Sequence, residues 1–239
     1  MILVLTMAGL YQRFANEGYK LPKYLLPWGD KTVLSAILTE LQRDRGFSDV
    51  FFVANHRDEN YMPHVKAIMR LHEIPAEHLV LTHDTKGQAA TAMVGVAAIE
   101  SSSVRQDQPV AFHNIDTILY KRNVEEMARS LTQDDGYIDV FTSHNSGYSY
   151  VLTDEKRKVI EIAEKIVVSD LATSGLYGFK SVKTVADNYD AAQDIYISAI
   201  YKRMIGKGLA IRCGDKHHES DTVVLGTPVE YMNAALVAL

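Results

Sequence analysis

A chain of 239 residues, 47% hydrophobic and 23% charged, has the composition of a globular protein with a sizeable core, as one large domain or two small ones. Its formal charge of −5, from 25 basic and 30 acidic residues without a long basic block, argues against a nucleic-acid partner, and the scattered aromatics offer no stacking platform. One cysteine, Cys213, leaves nothing for an internal disulfide and fits a reducing cytoplasm, while MILVLTMAGL and every later apolar run fall short of the ~20 residues of a membrane-spanning helix.

Ile2 to Met7 is a mostly apolar run, as expected of a strand covered on both faces. A turn-rich stretch follows, and Thr32 to Arg45 then carries Val33, Leu34, Ile37, Leu38 and Leu41 at helical spacing, closed by Gly46. Asp49 to Ala54 reads as the next strand, and Val65, Ile68, Met69 and Leu71 mark the helix after it. His78 to Thr82 is a third strand, Gln88 to Ile99 a helix rich in small residues, and Pro109 to Phe112 a fourth strand. This alternation predicts parallel pairing with right-handed crossovers, hence an open α/β sheet with ligands beyond the carboxyl ends of its strands. The loops at 8–31, 83–88 and 113–118 are the ones so placed. In the second half, Tyr137 to Thr142, Tyr148 to Thr153 and Val159 to Ile162 read as antiparallel strands, with turns at 145–147 and 154–156. Helices over about 181–191 and 194–205, a strand at Leu209 to Cys213 and a helix from Pro228, capped by Thr227, complete the chain. Without a linker or an internal repeat, residues 1–239 are expected to form one domain, with 136–239 building over 1–135.

The loop leaving the first strand holds Arg13, Lys20, Lys23 and Lys31. Its backbone N–H groups, with Gly9 permitting close approach, suit a triphosphate, for which Arg13 supplies a planar fork and Lys23 a mobile point charge. A solvated basic loop is the competing reading. Gly9 is not followed by the glycines of a dinucleotide fingerprint, and no P-loop occurs.

MAGLYQRFANEGYKLPKYLLPWGDKTVL resembles the signature of the sugar-phosphate nucleotidyltransferases, the nucleotide-sugar pyrophosphorylases, with Ala8, Gly9, Arg13, Phe14, Pro22, Lys23, Leu25 and Pro27 in matching order. The sequence departs from that signature at Tyr11, where the second glycine usually sits, and at Gln12, Leu21 and Tyr24. The resemblance implies that Ala8 and Gly9 hold a nucleoside triphosphate and that Arg13 and Lys23 offset charge on the α-phosphate and the leaving pyrophosphate. Four later stretches keep the family's order. KGQAATAMVG, with Gly87 and Gln88, resembles the turn that borders the nucleobase; a tight helix–sheet contact is the alternative. HNIDTIL resembles the motif whose aspartate binds Mg²⁺, which implicates Asp116, otherwise a turn or helix-cap residue. AEKIVVSDLATSGLYGFKS resembles the acceptor-contacting segment and implicates Glu164, Lys165 and Gly175; for Glu164 and Lys165 the alternative is an exposed ion pair. VVLGTPVEYMNAAL resembles the turn that begins the last helix, but Val224 stands where many relatives have a second metal-binding aspartate. Asp221 and Asp194 are the candidate substitutes, and neither is expected to serve.

The resemblance implies a Rossmann-like (GT-A-like) α/β fold, a mixed and mostly parallel sheet flanked by helices, with an antiparallel acceptor-binding portion in the second half. It implies Mg²⁺-dependent transfer of a nucleotidyl group from an NTP to a sugar 1-phosphate or other small phosphorylated acceptor, in a cytoplasmic enzyme of capsule or surface-glycan synthesis that could form a homo-oligomer. A non-catalytic binding relative and a glycosyltransferase of similar architecture are the alternatives, although the chain has no strict D-x-D. His217 and His218 are expected in a solvated loop, and His113 is expected in the proposed site but without an identified acid or nucleophile partner. A serine hydrolase would need a G-x-S-x-G elbow that the chain lacks.

Overall fold

A computed structural model describes residues 1–43 and 46–238, with side chains through residue 236. Strand β1 (Ile2–Thr6) is buried along its whole length, as its apolar run requires. The opening loop then forms a short helix α1 (Gln12–Asn16), a 3-10 turn (Lys23–Leu25) and a small hairpin of β2 (Pro27–Trp28) and β3 (Lys31–Thr32). Next come α2 (Val33–Leu41), β4 (Asp49–Asn55), α3 (Met62–Leu71), β5 (Leu79–Thr82), α4 (Gln88–Glu100) and β6 (Val110–Asn114). The second half adds β7 (Thr117–Leu119), α5 (Val124–Ser130), β8 (Gly136–Thr142), β9 (Ser149–Thr153), β10 (Val159–Glu164), β11 (Leu171–Phe179), α6 (Val182–Ala186), α7 (Ile197–Gly206), β12 (Ile211–His217), β13 (Thr222–Val224) and α8 (Pro228–Ala238).

One nine-stranded sheet runs through both halves. Strands β5, β4, β1 and β6 are parallel neighbours, and β11 closes against β6 in the antiparallel sense. The other edge of β11 pairs with β8, which pairs in parallel with β12. Strand alternation fixes the layers. Leu3 and Leu5 face a core shared with α2 and α3, while Ile2 and Val4 face the core beneath α4 and α7. Helix α4 lies close on the sheet because Gly95 has no side chain; a Cβ there would sit 2.5 Å from Val4 Cγ1. The Rossmann-like, mixed and mostly parallel sheet is therefore present.

Several local expectations need correction. β8 and β9 do not form a hairpin: β11 and β12 take both edges of β8, and β9 joins β11 on its other edge at Ala172. The helix expected over 181–191 stops at Ala186, where Asn188 Nδ2 donates to the Thr184 carbonyl and the Asp190 amide donates to Asp194 Oδ2, side chains competing with the helical ladder. The end at Arg45 expected for the helix from Thr32 lies outside the described residues; α2 runs to Leu41. His217 is the last residue of β12, its imidazole half-buried 3.8 Å from Asp139, and only His218 is exposed.

Asp139 belongs to a polar network within the core. Its side chain and that of Arg122 are each 3% exposed and 3.0 Å apart, Ser174 Oγ donates to the same carboxylate, and Arg122 also donates to Thr222 Oγ1 and the Asp221 carbonyl. Asp139→Ala leaves the guanidinium buried without its counter-charge, so denaturant unfolding should show a loss of about 3–5 kcal/mol. A loss below ~1 kcal/mol would mean that water reaches Arg122.

Candidate active site

The carboxyl ends of β1, β4, β5 and β6 open into a cleft of about 720 Å³, where an open α/β sheet presents its ligand site. Ala8, Gly9, Arg13, Lys23, Gly87, Gln88, Asp116, Glu164, Lys165 and Gly175 all line it.

β1 delivers the opening loop to this cleft. A Cβ on Gly9 would meet nothing within 4 Å, so no protein neighbour demands glycine there. Arg13, on α1, is exposed and has no ion-pair partner among the described residues. Lys23 Nζ lies 2.6 Å from Asp116 Oδ2, joining the loop to the end of β6, with the two side chains 18% and 27% exposed. Burial pushes the Asp116 carboxyl up, and the Lys23 ammonium outweighs it, so the acid sits below its ordinary range and remains a carboxylate. Tyr11 does not obstruct the cleft. Its hydroxyl turns inward to Asp58 Oδ1 at 2.6 Å.

The small residues of α4 divide between the two readings offered for them. Ala89, Ala92 and Gly95 pack on the sheet, whereas Gly87, Gln88 and Thr91 face the cleft. Gly87 admits the passing backbone of Ile195, whose carbonyl would lie 2.5 Å from an added Cβ. Gln88 is fixed at both ends: its amide nitrogen donates to Asn114 Oδ1, and its oxygen accepts from the Ile197 amide.

Across the cleft, Glu164 and Lys165 do not pair with each other. Ser149 and Ser198 both donate to Glu164 Oε2, while Lys165 Nζ bonds the Tyr196 hydroxyl at 3.0 Å. Gly175 has φ +90, and a Cβ there would meet Asn114 Nδ2 at 2.8 Å, so both conformation and space require glycine.

The remaining candidates fall outside. Asp221 pairs with Lys121 and Asp194 with Arg203, and neither lines the cleft. His113 is fully buried below it, not in it; burial lowers its pKa, and the neutral ring donates from Nε2 to the Thr117 carbonyl. Val224 does line the cleft, as do Gly226 and Glu230. A Cβ on Gly226 would lie 3.4 Å from Glu230 Oε2 and 3.8 Å from Asp116 Oδ2, so the glycine leaves open the space between these oxygens. Among the described residues no three His, Cys, Asp or Glu side chains cluster into a protein-only metal cage. One or two carboxylates, completed by water and phosphate oxygens, are the donor set that suits Mg²⁺.

Sequence reasoning missed Arg57 and its loop, while Asp84 and Asn114 lie in the expected loops 83–88 and 113–118 without having been singled out. Arg57 Nη2 reaches both Asp84 Oδ1 (2.6 Å) and the Ala8 carbonyl (3.2 Å), tying the opening loop to the loop after β5. The signal was present, because residues 56–61 also follow a parallel strand.

A model described as nucleotidyl transferase matches residues 9–218. Among solved structures, a nucleoside-diphosphate-sugar pyrophosphorylase from Vibrio cholerae RC9 superposes with a TM-score of 0.85 at 23% identity, covering 98% of this chain and 99% of that one. A putative glucose-1-phosphate thymidylyltransferase from Bacillus anthracis (TM-score 0.76, 16% identity, 99% and 94% covered) and an inositol-1-phosphate CTP transferase from T. maritima (0.72, 12%, 99% and 95%) share the fold. No curated protein matches the chain significantly. The family match covers most of the chain and includes the cleft's basic loop, its carboxylate strand end and the facing Glu164–Lys165 segment. The chain belongs to the nucleotidyl transferase family and is a nucleotidyltransferase.

Proposed function

We propose that the protein transfers a nucleoside monophosphate from an NTP to a sugar 1-phosphate, or another small phosphorylated acceptor, with release of pyrophosphate. The observation that carries this reading is the Lys23–Asp116 pair, 2.6 Å apart within one cleft that Arg13 also lines. Residues 1–135 hold the NTP and 136–239 the acceptor. Backbone N–H groups around Gly9 receive the triphosphate, and the turn at Gly87 and Gln88 borders the base. The acceptor lies against Glu164, Lys165 and Gly175. With Ser149 and Ser198 both donating to it, the Glu164 carboxylate is held in place to accept from an acceptor hydroxyl.

An acceptor phosphate oxygen forms the new bond to the α-phosphorus while the bond from that phosphorus to the β-bridging oxygen breaks, and its electron pair leaves with pyrophosphate. No general base is needed, since the attacking phosphate is already ionised at neutral pH. Lys23 and Arg13 stabilise charge that grows on the leaving group, and catalysis rests on positioning and electrostatics. Asp116, with Glu230 across the Gly226 gap, would hold Mg²⁺, which when bound offsets phosphate charge.

No helix among the described residues is long and apolar enough to cross a membrane. A cytoplasmic role in making nucleotide sugars for capsule or surface polysaccharide fits the proposed substrates. Pyrophosphate release, measured with Mg²⁺ over a matrix of NTPs and phosphorylated acceptors, tests the reading. Turnover should appear for a restricted set of pairs; silence throughout, with a folded protein, would overturn it.

A further inference from the structure

Asp58 is fully buried in the 3-10 turn His56–Tyr61 after β4, and no cation pairs with it among the described residues. Its oxygens are divided between two tyrosines. The Tyr11 hydroxyl donates to Oδ1 at 2.6 Å and the Tyr24 hydroxyl to Oδ2 at 3.0 Å. Tyr11 immediately precedes α1, two residues from both Gly9 and Arg13, and Tyr24 follows Lys23 in its 3-10 turn. A single carboxylate therefore holds both arms of the basic loop. Burial, reinforced by Asp58, pushes both phenols well above their ordinary range, so they stay protonated donors at any working pH. A staple needed only for folding could be apolar, without desolvating a charge.

We infer that Asp58 is a positioning residue for nucleotidyl transfer, its carboxylate fixing the separation of the Gly9–Arg13 arm from Lys23 through Tyr11 and Tyr24. The inference rests on the reading proposed above. A misplacement of about 1 Å can cost ~100-fold in rate, so losing one link of a two-point clamp should cost about tenfold. Tyr24→Phe should lower kcat by about that factor with little change in the KM for NTP, because Lys23 acts on charge that develops in the transition state. Tyr11→Phe should also raise that KM by a similar factor, because its arm holds the ground-state triphosphate at Gly9 as well as the developing charge at Arg13.

The test is steady-state kinetics of Tyr11→Phe, Tyr24→Phe and Asp58→Asn, each followed by thermal melting, with Tyr24→Phe repeated in the Asp58→Asn background. Support requires a raised KM in Tyr11→Phe but not in Tyr24→Phe, a lowered kcat in Tyr24→Phe, and a second substitution costing less than it does alone. Variants that melt earlier but keep wild-type kcat and KM would show a folding staple only and overturn the inference. Calorimetric titration with Mg²⁺ and NTP, without acceptor, separates this from failure of the broader reading. Should the wild type bind NTP yet release no pyrophosphate, weaker NTP binding by Tyr11→Phe still supports the inference and unchanged binding overturns it. Should the wild type bind no NTP, both ideas fall.

Discussion

Lys23→Ala is expected to lower kcat by about 10²–10³-fold while the protein stays folded, the cost of removing one preorganised group that faces developing charge. The stability effect should be far smaller. Both members of the Lys23–Asp116 pair are partly exposed, so the pair contributes about 1 kcal/mol, or roughly 2–4 °C in Tm for a chain of this size. Lys23→Arg should recover only part of the loss, because a planar fork cannot sit at Asp116 Oδ2 as a compact ammonium does. Metal affinity should move the other way. Without nucleotide, the alanine variant should bind Mn²⁺ more tightly than wild type, since Nζ no longer occupies Oδ2. Stopped-turnover pyrophosphate assays and Mn²⁺ titration read these opposite changes. Near wild-type turnover would remove Lys23 from the mechanism.

The parallel half of the fold was legible because its strands and helices each repeat a simple pattern. β1 is apolar from Ile2 to Leu5 and β4 from Val50 to Ala54, and the spacing of Val33, Leu34, Ile37, Leu38 and Leu41 announces α2. The antiparallel half was harder because pairing is decided by edges, which periodicity does not encode. β11 was read only as a family motif, although it separates β8 from β9 and is the strand through which the second half docks on β6. Its ladder shifts register between Thr173 and Tyr177, around the positive-φ Gly175, and that break lets one strand serve different neighbours along its length.

The candidate site was legible where a loop follows a parallel strand and carries residue types of obvious chemistry. Arg13, Lys23 and Asp116 satisfy that rule, and they line the same cleft. The residues that brace the site were not legible. Tyr11 looked like an intrusion into a glycine loop, yet its ring leaves the cleft free because a buried carboxylate captures the hydroxyl. Asp58 gives no sequence signal of that role, since its partners are distant in the chain and one of them, Tyr24, looked like a mere departure from the family's pattern. Glu230 was likewise not singled out; it completes the helix cap that Thr227 begins, and only the open space at Gly226 relates it to Asp116.

Asp116→Asn should depress kcat/KM by about 10³-fold, of the order expected when a ligand worth several kcal/mol of charge stabilisation is lost. The substitution keeps the shape at the end of β6, so the fold should survive. Mn²⁺ binding, followed by electron paramagnetic resonance, should weaken by more than about tenfold. The pH profile gives a sharper test. Burial raises the Asp116 pKa and Lys23 more than reverses it, so the folded value lies below the ordinary 3.8. A depressed folded value contributes stability above the unfolded value and loses it only as pH falls through the folded one, so Asp116 adds no pH dependence between about pH 5 and 8. An acid limb of kcat near pH ~6 is then expected from the substrate phosphates, the acceptor's and the terminal one of the NTP, whose last ionisations lie there. In Asp116→Asn that limb should keep its position while the whole profile drops. A limb that moves or disappears in the variant would make Asp116 a titrating group in the reaction, contrary to the environment that Lys23 imposes on it.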